Sequence, residues 1–168
     1  GVRDEHGALD PDRLKAVAKK VKAFEIKLSQ GAKPGRGGVL PAKKVTAEIA
    51  AIRGINQGEV SSSPNRHPDI NNCDDLLMMI HMIREITGRP VGFKAVFGSE
   101  HFPQELCEAI HRKGLEFAPD FITVDGGEGG TGASPQVLID HVGLSLKEEL
   151  PIVVDTLCKY GLRERIRV

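Results

Sequence analysis

Three times along this chain a short β-rich apolar run ends in charged residues and glycines and then gives way to a helical pattern. That repeated order constrains the fold more than any other feature, because βα units build parallel sheets. Phe24-Glu25-Ile26-Lys27-Leu28 alternates apolar and charged side chains. Val91 to Phe97 is a short apolar run interrupted by Lys94. Asp120-Phe121-Ile122-Thr123-Val124 runs straight into Asp125-Gly126-Gly127-Glu128-Gly129-Gly130-Thr131-Gly132. Arg165-Ile166-Arg167-Val168 reads as the opening of a fourth strand. Helices are predicted between and after these runs. One starts at the Asp10-Pro11 cap with Leu14, Val17, Ala18 and Val21 on one face, and a short one covers Lys43 to Arg53. The clearest spans Asp74 to Thr87, with Leu76, Leu77, Ile80, Ile83 and Ile86 as its apolar stripe and Gly88 as its stop. Others cover Pro103 to Lys113, Pro135 to His141 and Leu146 to Tyr160. The stretches Gln30 to Pro41 and Gly54 to Asn72 are rich in breakers and polar residues and read as loops.

The expected fold class is therefore α/β. A closed (β/α)8 TIM barrel needs eight strands and about 250 residues; four strands in 168 residues make about half of one. The chain starts at Gly1, ends in an incipient strand, and is expected to be a single truncated segment, 1–168. Lysine plus arginine and aspartate plus glutamate both number 23, which argues against nucleic acid or an anionic membrane as partner. No run approaches the roughly 18 apolar residues of a membrane span, and no secretory leader opens the chain. Cys73, Cys107 and Cys158 are odd in number and form no CxxC. They are read as packing thiols of a cytoplasmic protein, with no metal site.

Functional groups in parallel βα folds gather where strands end. The first strand delivers Lys27 and Gln30 into Gly31-Ala32-Lys33-Pro34-Gly35-Arg36-Gly37-Gly38, the second carries Lys94, and the third delivers Asp125 and the second glycine cluster. One rim would then hold cations beside bare backbone amides, which suits a carboxylate or phosphate. Lys94 also admits a plainer reading, as an edge or snorkelling lysine. Neither glycine loop matches GxxxxGK[ST]. His67, beside Arg66 in a proline-flanked loop, and His81 and His111 on helices are read as surface or packing residues.

The block from Lys27 through Gln30 and Gly38 to Pro41 resembles the signature of the FMN-binding domain of the glutamate synthase large-subunit family. So do Ile49-Ala50-Ala51-Ile52-Arg53, Ser63-Pro64 with His67-Pro68-Asp69-Ile70, Gly92-Phe93-Lys94, and Gly129 to Pro135, with Gly161-Leu162-Arg163 extending the match. The blocks keep the family's order, and the likeness is strongest to stand-alone glutamate-synthase-like flavoproteins.

The resemblance implies a (β/α)8 barrel with FMN at the carboxyl ends of its strands, reducing 2-iminoglutarate, formed from 2-oxoglutarate and ammonia, to L-glutamate. It implies that Gln30, Lys33 and Arg53 surround 2-oxoglutarate or a similar small dicarboxylate, and that Lys94 lies against the flavin; Lys27, at the same rim, is the second catalytic candidate, placed to contact either ligand. Cofactor contacts are implied for Lys94, Asp125, Gly126, Gly127, Gly129, Gly130, Thr131 and Gly132. Electrons would come from an NADPH-linked subunit or ferredoxin. The family's later strands bring most of the FMN phosphate site and the cysteines of a 3Fe-4S cluster, and the cysteines here do not match those. The fragment alone is therefore expected to be inactive. Val39 stands where glutamate synthases commonly carry glutamine, which leaves an N-substituted glutamate as an alternative product. A non-catalytic domain binding an anion or nucleotide through the same loops is the alternative from a different class.

Overall fold

The computed structural model describes residues 2–4, 6–129, 132 and 134–168. Helix α1 (Pro11–Ala18) opens on Asp10, whose side chain accepts from the amides of Asp12 and Arg13, with proline in the first turn as predicted. Strand β1 (Phe24–Lys27) follows. The next stretch holds β2 (Val39–Leu40), a 3₁₀ turn at Ala42–Lys44, α2 (Ala47–Arg53) and β3 (Ser61–Ser62). Helix α3 (Cys73–Thr87), β4 (Val91–Ala95), α4 (His101–Lys113) and a 3₁₀ turn at Leu115–Phe117 come next. Strand β5 (Ile122–Val124), α5 (Gln136–His141) and α6 (Leu146–Lys159) complete the order.

The main sheet has the order β1-β4-β5, parallel throughout, with Phe24 opposite Val91 and Phe93 opposite Ile122. The expected fourth strand is represented by a single parallel bridge, Phe121 with Arg167. Its two hydrogen bonds run from Ile122 N to Arg167 O (2.8 Å) and from Arg167 N to Asp120 O (3.1 Å). Two structures fall inside segments read as loops. Strands β2 and β3 pair antiparallel, Val39 with Ser62 and Leu40 with Ser61, and two-residue strands are too short to show any periodicity. The helix expected over Lys43 to Arg53 is split by Val45, which is extended.

Period-two alternation divides the sheet into two faces. Val91, Phe93 and Ala95 are buried in one core with Ile26, Ile122 and the apolar stripes of α3, α4 and α6. Phe93, Ile80, Ile110 and Cys107 are wholly buried there. Complete burial of such side chains contributes about 1.5–3 kcal/mol each before entropy is counted. The opposite face carries Glu25, Lys27, Lys94 and Thr123; Glu25 and Lys27 are exposed, and Thr123 Oγ1 donates to Glu25 Oε2 at 2.6 Å, spanning β4. Cys73 and Cys107 are buried as expected, but Cys158 is exposed, because it falls between the inward positions Val153 and Leu157 and the end of α6. Burial pushes the Cys73 thiol up to about 12 and Cys107 to about 11, so neither supplies a thiolate near neutral pH. His81 lies tilted against Phe117 with centroids 4.4 Å apart, and His111 meets the Tyr160 ring edge-on, both packing roles. No helix among the described residues is long and apolar enough to cross a membrane.

Candidate active site

The register of the parallel sheet sets Lys27 beside Lys94, and Lys94 beside Thr123. Lys94 Nζ lies 2.6 Å from Asp125 Oδ2, and the two side chains are 20% and 21% exposed. The lysine therefore sits against a fixed carboxylate, which disposes of the snorkelling alternative. The same Oδ2 accepts the amide of Gly31 at 3.0 Å, and Ala32 N donates to Gly129 O at 3.1 Å. These bonds draw the loop after β1 onto the loop after β5. A side chain at residue 31 would prevent it, since a Cβ there would stand 2.0 Å from Gly126 O. Val96 N donates to Ser29 Oγ at 3.0 Å, tying β4 to the same loop.

The loop after β1 walls a cavity of about 540 Å³ with the loop at residues 63–68. Lys27, Gln30 and Lys33 line it, and so do Arg3, Arg36 and Arg66, with no Asp or Glu among the described residues that do so. Lys33 is buried, only 8% exposed. Such a space lies within the range of about 300–1,000 Å³ typical of small-molecule pockets, and its charge selects for anions. Arg53 stands apart. It is exposed at the end of α2, outside the cavity lining, and its Nη1 donates to Ser61 Oγ at 2.9 Å.

The second glycine cluster is more committed to backbone than the sequence suggests. Gly126 and Gly127 are buried, the Gly127 amide donates to Leu144 O and that of Gly129 to Gly126 O, both at 2.7 Å. Gly132 is exposed, and Gly130 and Thr131 lie outside the described residues. Beneath this loop Glu149 is wholly buried. Its Oε2 accepts from Phe97 N at 2.6 Å, and its Oε1 has no hydrogen-bond partner among the described residues. Burial, together with Glu128 and Asp125 and against the Phe97 amide, pushes Glu149 up to about 7.

Arg3, Arg36, Arg66 and His67 are wall residues that sequence reasoning missed, and Glu149 is a buried acid that it passed over. The only signal available for Arg66 and His67 was their place in a proline-flanked polar loop, and that same composition describes any surface turn.

The model of the conserved region in glutamate synthase matches residues 9–168. The chain belongs to the glutamate synthase family. Among similar proteins, the glutamate synthase large subunit-like protein YerD of Bacillus subtilis is 41% identical over 170 residues, covering 100% of this chain and 32% of YerD. The archaeal glutamate synthase (NADPH) of Methanocaldococcus jannaschii is 39% identical over 148 residues, 87% of this chain and 28% of that protein. The chloroplastic ferredoxin-dependent glutamate synthase of Oryza sativa is 38% identical over 144 residues, 85% of this chain and 8% of that protein. The chain thus spans about a third or less of the length of these curated relatives.

Proposed function

We infer that the chain is the part of a glutamate synthase-like FMN oxidoreductase that binds the diacid substrate and one side of the flavin, on strands belonging to a (β/α)8 barrel. The observation that carries this reading is the meeting of Lys27, Lys94, Asp125 and the Gly31 amide at one end of the sheet, next to the cationic cavity. The residues fit a flavin: two lysines stand side by side on the polar sheet face, and Asp125 fixes one of them. FMN bound there in the full-length protein would supply the hydride that reduces 2-iminoglutarate, formed from 2-oxoglutarate and ammonia, to L-glutamate.

The residues of this chain bind and orient. Lys33 holds one carboxylate of 2-oxoglutarate from the buried wall of the cavity, and the Gln30 amide sets its angle. Arg53, outside the cavity lining at the end of α2, keeps most of its five N–H donors free of its bond to Ser61 and holds the other carboxylate where the diacid extends beyond the cavity. Lys94 and Lys27 place positive charge where negative charge develops. Electrons arrive from NADPH or ferredoxin, the donors that appear in the names of the relatives.

The test is Arg53→Ala in the full-length protein. Loss of a charge-assisted carboxylate contact is expected to raise the KM for 2-oxoglutarate about tenfold or more. An unchanged KM removes Arg53 from the substrate set. Comparing ammonia with methylamine as the nitrogen source tests whether an N-substituted product is made instead.

A further inference from the structure

Besides Arg3, the cavity is lined by Arg36 and Arg66, neither of them assigned to the diacid, and no Asp or Glu among the described residues lines it. Its two loops are stapled together: Gly37 N donates to Asn65 Oδ1 at 3.0 Å, and Ser63 N to Gly38 O at 2.8 Å. The approach is so close that a Cβ on residue 37 would stand 1.9 Å from Ser63 O. Arg36 precedes one stapled residue and Arg66 follows the other, so both guanidinium groups are delivered to the same wall. Lys33 extends toward this junction, its Nζ 3.8 Å from where a Gly38 Cβ would stand.

Among the described residues, Lys33, Arg36 and Arg66 make no ion pair and no side-chain hydrogen bond. The neighbouring Arg3–Asp69 pair adds no net charge. Arg3 Nη2 is committed to Asp69 Oδ2 at 2.7 Å. The two ring nitrogens of His67 both face donors, Arg3 Nη2 at 3.4 Å and the Asp69 amide at 3.3 Å. A neutral ring accepts at only one of these nitrogens, and protonation would remove that hydrogen bond. Burial first, and then Arg3, lower the His67 pKa, against the pull of Asp69. A cavity lined by three cations that make no ion pair among the described residues bears repulsion that a bound oxyanion relieves, and guanidinium forks suit that geometry.

We propose that Arg36 and Arg66, with Lys33 behind them, form an oxyanion subsite separate from Arg53, which takes a free phosphate ion or a further acid group of the substrate. The subsite shares Lys33 with the function inferred above, but the two stand or fall on different arginines.

The experiment is calorimetric titration of the full-length protein with inorganic phosphate, glutarate and tricarballylate. Phosphate binding with no preference for tricarballylate over glutarate identifies a free-anion site. Tricarballylate binding about tenfold or more tighter than glutarate identifies an acid group of the substrate. In either case Arg36→Ala and Arg66→Ala each weaken binding at least about tenfold, Arg36→Lys recovers part of the loss, and Arg53→Ala leaves phosphate binding unchanged. Both arginines are exposed loop residues, so thermal midpoints should hold; the lysine variants serve if an alanine variant misfolds. The proposal is overturned if phosphate and the third acid group both go unrecognised, if Arg53→Ala weakens phosphate as much as Arg36→Ala, or if the double alanine variant loses its FMN. Phosphate binding through Arg36 and Arg66 in a protein that makes no glutamate would sink the inferred function and leave the subsite. A KM that depends on Arg53 without phosphate binding would do the reverse.

Discussion

At the end of the sheet where the strands begin, Asp120 takes Arg84 Nε and the Val91 amide on Oδ2, at 3.0 and 2.8 Å, and Arg165 Nη1 on Oδ1 at 3.1 Å. The remaining donors of Arg84 reach Glu116 O and Ala118 O at 2.7 and 2.6 Å, and Arg89 Nε reaches Ala18 O at 3.0 Å. At the end where the strands finish, the Lys94–Asp125 and Arg3–Asp69 pairs are formed, while Lys27, Lys33, Arg36 and Arg66 make no ion pair among the described residues. One end uses its cations to lock segments together, and the other keeps them available for a ligand. The difference teaches that pairing, rather than charge itself, separates a structural arginine from one left available, in keeping with the tendency of parallel βα folds to gather functional groups where strands end.

The strongest way to break this comparison is Asp120→Ala. It strands two partly buried guanidinium groups and is expected to cost about 3 kcal/mol, at the low end for a severed pair because the aspartate is 26% exposed. Urea unfolding of the full-length protein should show that loss while the KM for 2-oxoglutarate stays unchanged; a rise in KM would erase the distinction between the ends. Lys33→Ala should do the opposite, raising KM about 10- to 100-fold with no loss of thermal stability, because it removes a charge that has no partner. A lower melting temperature in that variant would mean that Lys33 is structural.

The smallest effect concerns Glu149, the buried acid under the ligand end. Its pKa is raised from 4.5 to about 7, so it holds a proton that the unfolded chain has already released. That contribution to stability is fully present below about pH 4.5 and is lost as pH rises through about 7. The melting temperature of the native protein should therefore decline, relative to Glu149→Gln, across that interval and level off above it. Parallel curves for the two proteins would show that the acid is ionised throughout.

The sheet was legible because Ile26, Phe93 and Ile122 sit in apolar runs whose period is that of a strand. Lys94 stood out as a charge inside such a run, and the match of Lys27 to Pro41 with a known signature supplied the ligands implied for the site. Other features depend on distance through space. The Lys94–Asp125 pair spans 31 residues, and the Gly37–Asn65 staple spans 28. The antiparallel β2–β3 pairing needs only two residues a side, and Arg66 gained meaning only when its loop met the one after β1. Local pattern fixes what an element is; it says little about which loop touches which.

A single oxygen atom, Oδ2 of Asp125, receives both the ammonium of Lys94 and the amide of Gly31. It is a hinge pin shared by the lysine at the heart of the sheet and the loop that carries Gln30 and Lys33. Alterations on either side of that pin cannot be treated as independent, and their combined effects should depart from simple addition. An evolutionary change of substrate in this branch would have to retune both partners of Asp125 together.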